Sequence, residues 1–176
     1  MRKPFAVSLD TKAAALLRKH GLYSAPIDLA ALAEGLGASV AFEDLEDDVS
    51  GFLLRENGQS TIAINKKHHP NRQRFTLAHE CGHLFLHAKA KDGLWVDKAL
   101  FFRDASTKAG ENFDEIQANQ FAAGLLMPEE FVRSEVEKLN PISDADVVRL
   151  ALRFGVSEKA MMVRLLSLEL ISTAVA

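Results

Sequence analysis

The chain has 176 residues, 48% of them hydrophobic and 26% charged, with a formal net charge of −3. That balance fits a globular domain with a core of its own, and it excludes a dominant electrostatic field for nucleic acid. A single cysteine, Cys81, excludes an internal disulfide framework and points to a reducing, cytoplasmic address. The longest apolar runs, Ala13–Leu17 and Phe121–Met127, fall short of the ~18–20 residues of a bilayer span, and Pro4 after Arg2 and Lys3 argues against a secretory signal, so no membrane partner is expected.

Taken in chain order, residues 10–20 read as a helix capped by Asp10 or Thr11 and ended by Gly21. Residues 28–36 repeat the pattern with Asp28 as cap, and Ala38–Phe42 reads as a strand. Glu43–Asp48 holds five carboxylates and is expected to be a solvated loop. Phe52–Arg55 and Thr61–Asn65 flank Asn57-Gly58, a hairpin signal, so a small antiparallel sheet of about three strands is expected. Asn65–Arg74 reads as a basic loop and Phe75–His87 as a helix. Residues 88–110 lack periodicity; Trp95, Phe101 and Phe102 there would cover a cleft or anchor the loop to the core. Glu111–Met127 is a helix stopped by Pro128, and 129–138 continue helically. Asp144–Phe154, Gly155 and Ser157–Leu170 have a helix-turn-helix outline. The fold expected is α+β: a mostly helical single domain, residues 1–176, with the 144–170 pair packed on it.

Five of the six histidines, His68, His69, His79, His83 and His87, fall within twenty residues. Among them His79-Glu80-Cys81-Gly82-His83 spells H-E-x-x-H inside the predicted helix. Positions i and i+4 share a helix face about 6 Å apart along the axis, so both imidazoles can converge on one metal ion. Glu80, turned by ~100°, is free to act as a general base toward water. Chance placement of this pattern in a chain of this composition is roughly one in seventy. His87 continues the stripe but lies ~12 Å from His79 along the axis, too far to share the ion. Cys81 points ~200° away from His79 and reads as a small buried hydrophobe.

The third ligand is best sought in Glu115-Ile116-Gln117-Ala118-Asn119. Glu115, Ala118, Asn119 and Ala122 share one face, whose small residues would let this helix approach the first. Phe113, Ile116, Phe121 and Leu125 are expected to fill the core. Asn119 can accept a hydrogen bond from the free ring nitrogen of a ligand histidine. Asp114 and Glu111 are rival carboxylates. An oxyanion donor is sought among Tyr23, His68, His69, Arg72, Arg74 and His87, without a choice among them. An exposed edge strand beside the helix could pair with an extended peptide.

Residues 72–87 (RQRFTLAHECGHLFLH) with 115–128 (EIQANQFAAGLLMP) resemble the ImmA/IrrE metallopeptidases, in their compact form. The resemblance implies a metalloendopeptidase with His79, His83 and Glu115 as ligands of one divalent ion, Zn2+ or, failing that, Mn2+, and Glu80 as catalytic acid/base. Asn119, His87, Arg72 and Arg74 are left around the site as outer or substrate contacts. The substrate implied is a helix-turn-helix repressor or antitoxin encoded nearby, cleaved in a stress response or toxin–antitoxin setting. Cys81 stands where the family usually has a large aliphatic residue. The alternative function is regulatory, DNA binding or protein docking through 144–170. There Arg149, Arg153, Lys159 and Arg164 are balanced by Asp144, Asp146, Glu158 and Glu169, so direct DNA binding is not expected.

Overall fold

The computed structural model describes residues 8–87, 93–98, 109–139 and 141–172. Helix α1 (Leu9–Lys19) is capped by Ser8, whose side chain accepts from the Thr11 amide; Asp10 and Thr11 therefore lie inside the first turn instead of capping it. Helix α2 (Leu29–Gly35) is capped by Asp28, as its sequence indicates. Strands β1 (Ala38–Glu43), β2 (Val49–Glu56) and β3 (Gln59–Asn65) follow, and β2 and β3 form the hairpin expected at Asn57-Gly58. Both turn residues have positive φ, 51° and 79°, the conformation a two-residue primed turn requires.

The sheet has four strands in the order β1-β3-β2-β4 and is mixed, not a three-stranded antiparallel one. β1 runs parallel to β3, and the crossover between them is β2 with its flanking loops. The fourth strand, β4 (Gly93–Lys98), comes from the segment that looked aperiodic, and pairs antiparallel with β2 through a register shift between Val49 and Gly51. The acidic loop 44–48 carries the chain from β1 to β2 and is tied down. Buried Asn65 donates from Nδ2 to the Glu46 and Val49 carbonyls at 3.0 and 2.9 Å, and its Oδ1 accepts from the Lys67 amide. Lys67 Nζ lies 2.6 Å from Asp44 and donates to the Leu45 carbonyl.

Helix α3 (Pro70–Leu86) starts five residues before Phe75. Its cap is His69, whose Nδ1 accepts from the Asn71 amide, and Pro70 at the first position is favoured there because its missing N–H would find no helical partner. Gln73 donates to the carbonyls of Asn65, Lys66 and His68, so the stretch expected as a basic loop is a tight turn into a helix. α3 packs across β2 and β3 at Gly51, where a Cβ would meet the Ala63 carbonyl at 2.6 Å and the Thr76 methyl at 2.8 Å.

Helices α4 (Ala109–Leu126), α5 (Glu129–Val136), α6 (Asp144–Phe154) and α7 (Glu158–Ser167) complete the chain. α6 begins with a reciprocal Ser143–Asp146 capping box and ends at Gly155 in the left-handed region; Ser157 caps α7 as read from the sequence. One apolar core joins α1, α2, the inner sheet face, α3, α4 and α5–α7. The fold class is α+β, as expected.

Replacing Asn65 by Ala should destabilise the fold by about 2 kcal/mol, because it removes the hydrogen bonds by which this buried amide holds the Glu46 and Val49 carbonyls and the Lys67 amide. Urea denaturation of the two proteins measures this; equal midpoints would show that the crossover holds without Asn65.

Candidate metal centre

His79 and His83 leave α3 one turn apart, and their side chains are 4% and 11% exposed. Glu115 reaches them from α4: its Oε2 lies 3.2 Å from His79 Nε2 and its Oε1 lies 3.1 Å from His83 Nε2. The two Nε2 atoms are 3.0 Å apart. On the other side of the His79 ring, Nδ1 donates to Asn119 Oδ1 at 2.9 Å, which leaves Nε2 with its lone pair facing Glu115. The Glu115 side chain is 42% exposed, so the cluster is buried on the α3 side and open on the α4 side.

These atoms form a donor set that fits a divalent ion. Lone pairs of two imidazoles and a carboxylate converging at 3.0–3.2 Å repel one another unless a cation lies among them. Donors around a tetrahedral ion with bonds of about 2.1 Å sit about 3.4 Å apart, so only a small opening is needed. Among the described residues, His79, His83 and Glu115 form the one group of three able to hold a metal in this way. Burial pushes the Glu115 carboxyl upward, but where the two Nε2 atoms carry protons in place of an ion, their hydrogen bonds and charge outweigh it and hold the group well below the usual carboxylate range.

The approach of the two helices has a local cause. A Cβ at Gly82 would lie 3.3 Å from both the Cα and the carbonyl oxygen of Ala118. Ala118 and Ala122, the small residues of the α4 face, are fully buried there. Phe121 and Leu125 fill the core as expected, whereas Phe113 and Ile116 do not: they are 59% and 45% exposed, on the side of α4 turned away from it. Gly82 is the part of the site that the motif spacing does not mark; its signal is a glycine in a helix interior, a costly choice unless another backbone comes close.

Glu80 is buried beside the ligands on α3. Cys81 is buried in the core, with its thiol pushed up to about 12 by burial and then by the charge of Glu80, so it is inert and faces away from the donors. His87 caps the C-terminus of α3 with Nδ1 3.5 Å from Asp114 Oδ1, so Asp114 faces His87 instead of joining the ligands. The side chain of Glu111 lies outside the described residues, as do Phe101 and Phe102. Trp95 on β4 packs against the core.

The other residues singled out are engaged elsewhere. Arg72 donates to Ser50 Oγ at 3.0 Å, and Arg74 donates to the carbonyls of Gly155 and Ile27. His68 Nε2 is 3.2 Å from the Asp47 carbonyl, and Tyr23 donates to Glu130 under the Arg18 guanidinium. Of the six oxyanion candidates, His87 is the one whose ring contacts a ligand histidine among the described residues.

A helix-borne H-E-x-x-H pair closed by a carboxylate from a neighbouring helix, beside a mixed sheet, has the donor pattern of a metallohydrolase site. Residues 33–166 match the family described as Peptidase_M78, the IrrE N-terminal-like domain, and the chain belongs to that family. It is 33% identical over 167 residues to the radiation response metalloprotease IrrE of Deinococcus radiodurans, covering 89% of this chain and 47% of that protein. The chain thus spans about half the length of this curated relative. In fold it is similar to a Mycobacterium tuberculosis transcriptional regulator, with a TM-score of 0.65 and 21% identity, covering 89% of this chain and 46% of that one.

Gly82→Val should force α3 and α4 apart and weaken divalent-metal binding, while Cys81→Ala, on the opposite face, should leave it near wild type. Competition against a chromogenic chelator distinguishes the two; equal affinity for Gly82→Val and wild type would remove the close approach as a requirement.

Proposed function

We propose that the protein is a metal-dependent endopeptidase that cleaves a helix-turn-helix transcriptional repressor or antitoxin in the cytoplasm, with Glu80 as general base. The observation that carries the reading is the closure of the His79–His83 pair by Glu115 at 3.1–3.2 Å, in a chain of the IrrE N-terminal-like family. A divalent ion bound there, zinc by preference and manganese as the alternative for this donor set, would acidify water and polarise the scissile carbonyl.

His79, His83 and Glu115 are the ligands in this reading, and Asn119 fixes the tautomer of His79. The Glu80 carboxylate takes the proton of the attacking water as the new C–O bond forms. It then gives that proton to the leaving amine nitrogen as the C–N bond breaks. The open side at Glu115 admits an extended segment, for which β4 at the sheet edge offers backbone pairing. No helix among the described residues is long and apolar enough to cross a membrane.

The regulatory alternative, binding through α6 and α7, is supported better as protein docking than as DNA binding. Arg149 is paired with Asp146, Arg153 with Glu135, and Arg164 is buried against Asp10 and the Met127 carbonyl. Meanwhile Val148, Leu152 and Val163 are exposed on the same two helices. Of the four cations on these helices only exposed Lys159 has no acidic partner among the described residues, too few for a phosphate backbone.

The test is incubation of a small helix-turn-helix regulator encoded beside this gene with the metal-loaded protein. Cleavage is expected with wild type, a loss of at least about a hundredfold with Glu80→Gln at unchanged metal content, and loss of the metal itself with His79→Ala. Undiminished cleavage by Glu80→Gln, or full metal occupancy in His79→Ala, would refute the respective assignments.

A further inference from the structure

The two ligand histidines are held differently. His79 has an acceptor for its second ring nitrogen in Asn119. His83 does not: its Nδ1 is buried and has no hydrogen-bond partner among the described residues. A ligand imidazole ordinarily owes its orientation to such a bond; among the described residues the His83 ring is held by packing instead.

What flanks that ring is aromatic. The His79 ring stands edge-on to it at 4.6 Å with an interplanar angle of 76°, and the His87 ring lies tilted at 5.4 Å from the other side. His87 is one turn beyond His83, at the C-cap of α3, and its side chain is 10% exposed. Across the helix interface its Nδ1 is 3.5 Å from Asp114 Oδ1, on the residue preceding Glu115.

We propose that His87, anchored on Asp114, is the positioning residue for His83: it braces the second ligand by packing, where Asn119 holds the first by a hydrogen bond. The assignment rests on the metal site of the proposed function. In it His87 is neither a ligand nor a proton donor, which accounts for its place in the histidine stripe at a distance no shared ion can span. The same contact also sets Asp114, and hence the adjacent Glu115, against the end of α3.

The experiment uses the full chain, stripped of metal and titrated with Zn2+ against a chromogenic chelator, with the visible spectrum of the Co2+ form as a second readout of ligand geometry. His87→Ala should weaken Zn2+ binding about tenfold and alter the Co2+ spectrum. His87→Phe, which keeps a packed ring without the Asp114 contact, should recover most of the affinity. Asp114→Ala should weaken binding less than His87→Ala, and the double variant should bind no worse than His87→Ala alone, since the two act as one unit.

Wild-type affinity in His87→Ala would overturn the proposal, as would a His87→Phe protein as weak as His87→Ala. Thermal melts of the metal-free proteins separate bracing from folding; if His87→Ala melts early, the comparison of His87→Phe with wild type carries the test. A wild-type chain that binds no divalent ion would instead bring down the proposed function. Tight wild-type binding with an indifferent His87 would bring down only the brace.

Discussion

The constraint on which the donor cluster depends is the contact between α3 and α4 at Gly82 and Ala118. Two of the three converging donors are set by helical periodicity alone, but the third arrives only because the backbones approach to the point where a single Cβ would touch Ala118 Cα and its carbonyl oxygen. α4 is in turn placed from its far end. At Gly124 a Cβ would meet Asp10 Oδ1 at 2.9 Å and the Ala13 methyl at 3.3 Å, so α1 sits against α4 as closely as α3 does. The Met127 carbonyl just beyond α4 accepts from Arg164 of α7, which also pairs with Asp10. The position of Glu115 is therefore inherited from contacts about two turns or more away along its own helix.

This arrangement sets folding against chemistry. Burying His79 and Glu80 beside an apolar core removes hydration that ionisable groups resist losing. Bringing two imidazoles and a carboxylate together without a cation adds repulsion among their lone pairs. A bound divalent ion reverses the sign of that interaction, so metal affinity and folding stability are linked quantities in such a site. The sheet and the α1–α4 contact hold α3 and α4 through apolar packing in which the donors take no part.

Much of the site is legible in the sequence because it rests on local rules. The i, i+4 spacing of His79 and His83 and the small face of α4 both follow from helical geometry, and the structure brings Glu115 and Asn119 to His79 accordingly. What escaped is what depends on partners. The β4 run GLWVDK alternates Leu94 and Val96 outward with Trp95 inward, but six residues of alternation are weak until β2 is there to pair with them. The parallel placement of β1 cannot be read from hairpin signals, since it depends on the Asn65-held crossover. Phe113 and Ile116 illustrate the converse: apolar residues at helical spacing mark a face, but not which face the neighbouring helix takes. The start of α3 is hard to read because His69 is not among the usual cap residues, and Pro70 behind it is the one local signal.

The helix-turn-helix outline of residues 144–170 has a packing explanation that composition does not reveal. Arg74 of α3 donates to the carbonyl of Gly155, the left-handed residue that ends α6, and to the carbonyl of Ile27 before α2. A side chain at Gly155 would meet Arg74 Nε at 2.9 Å. The turn between α6 and α7 is thus fixed to the helix that carries the histidines, and the glycine there serves this contact as well as the cap. With Arg164 drawn into the core at the other end of α7, the pair is built into the same body as the metal site, and its sharp turn follows from that attachment.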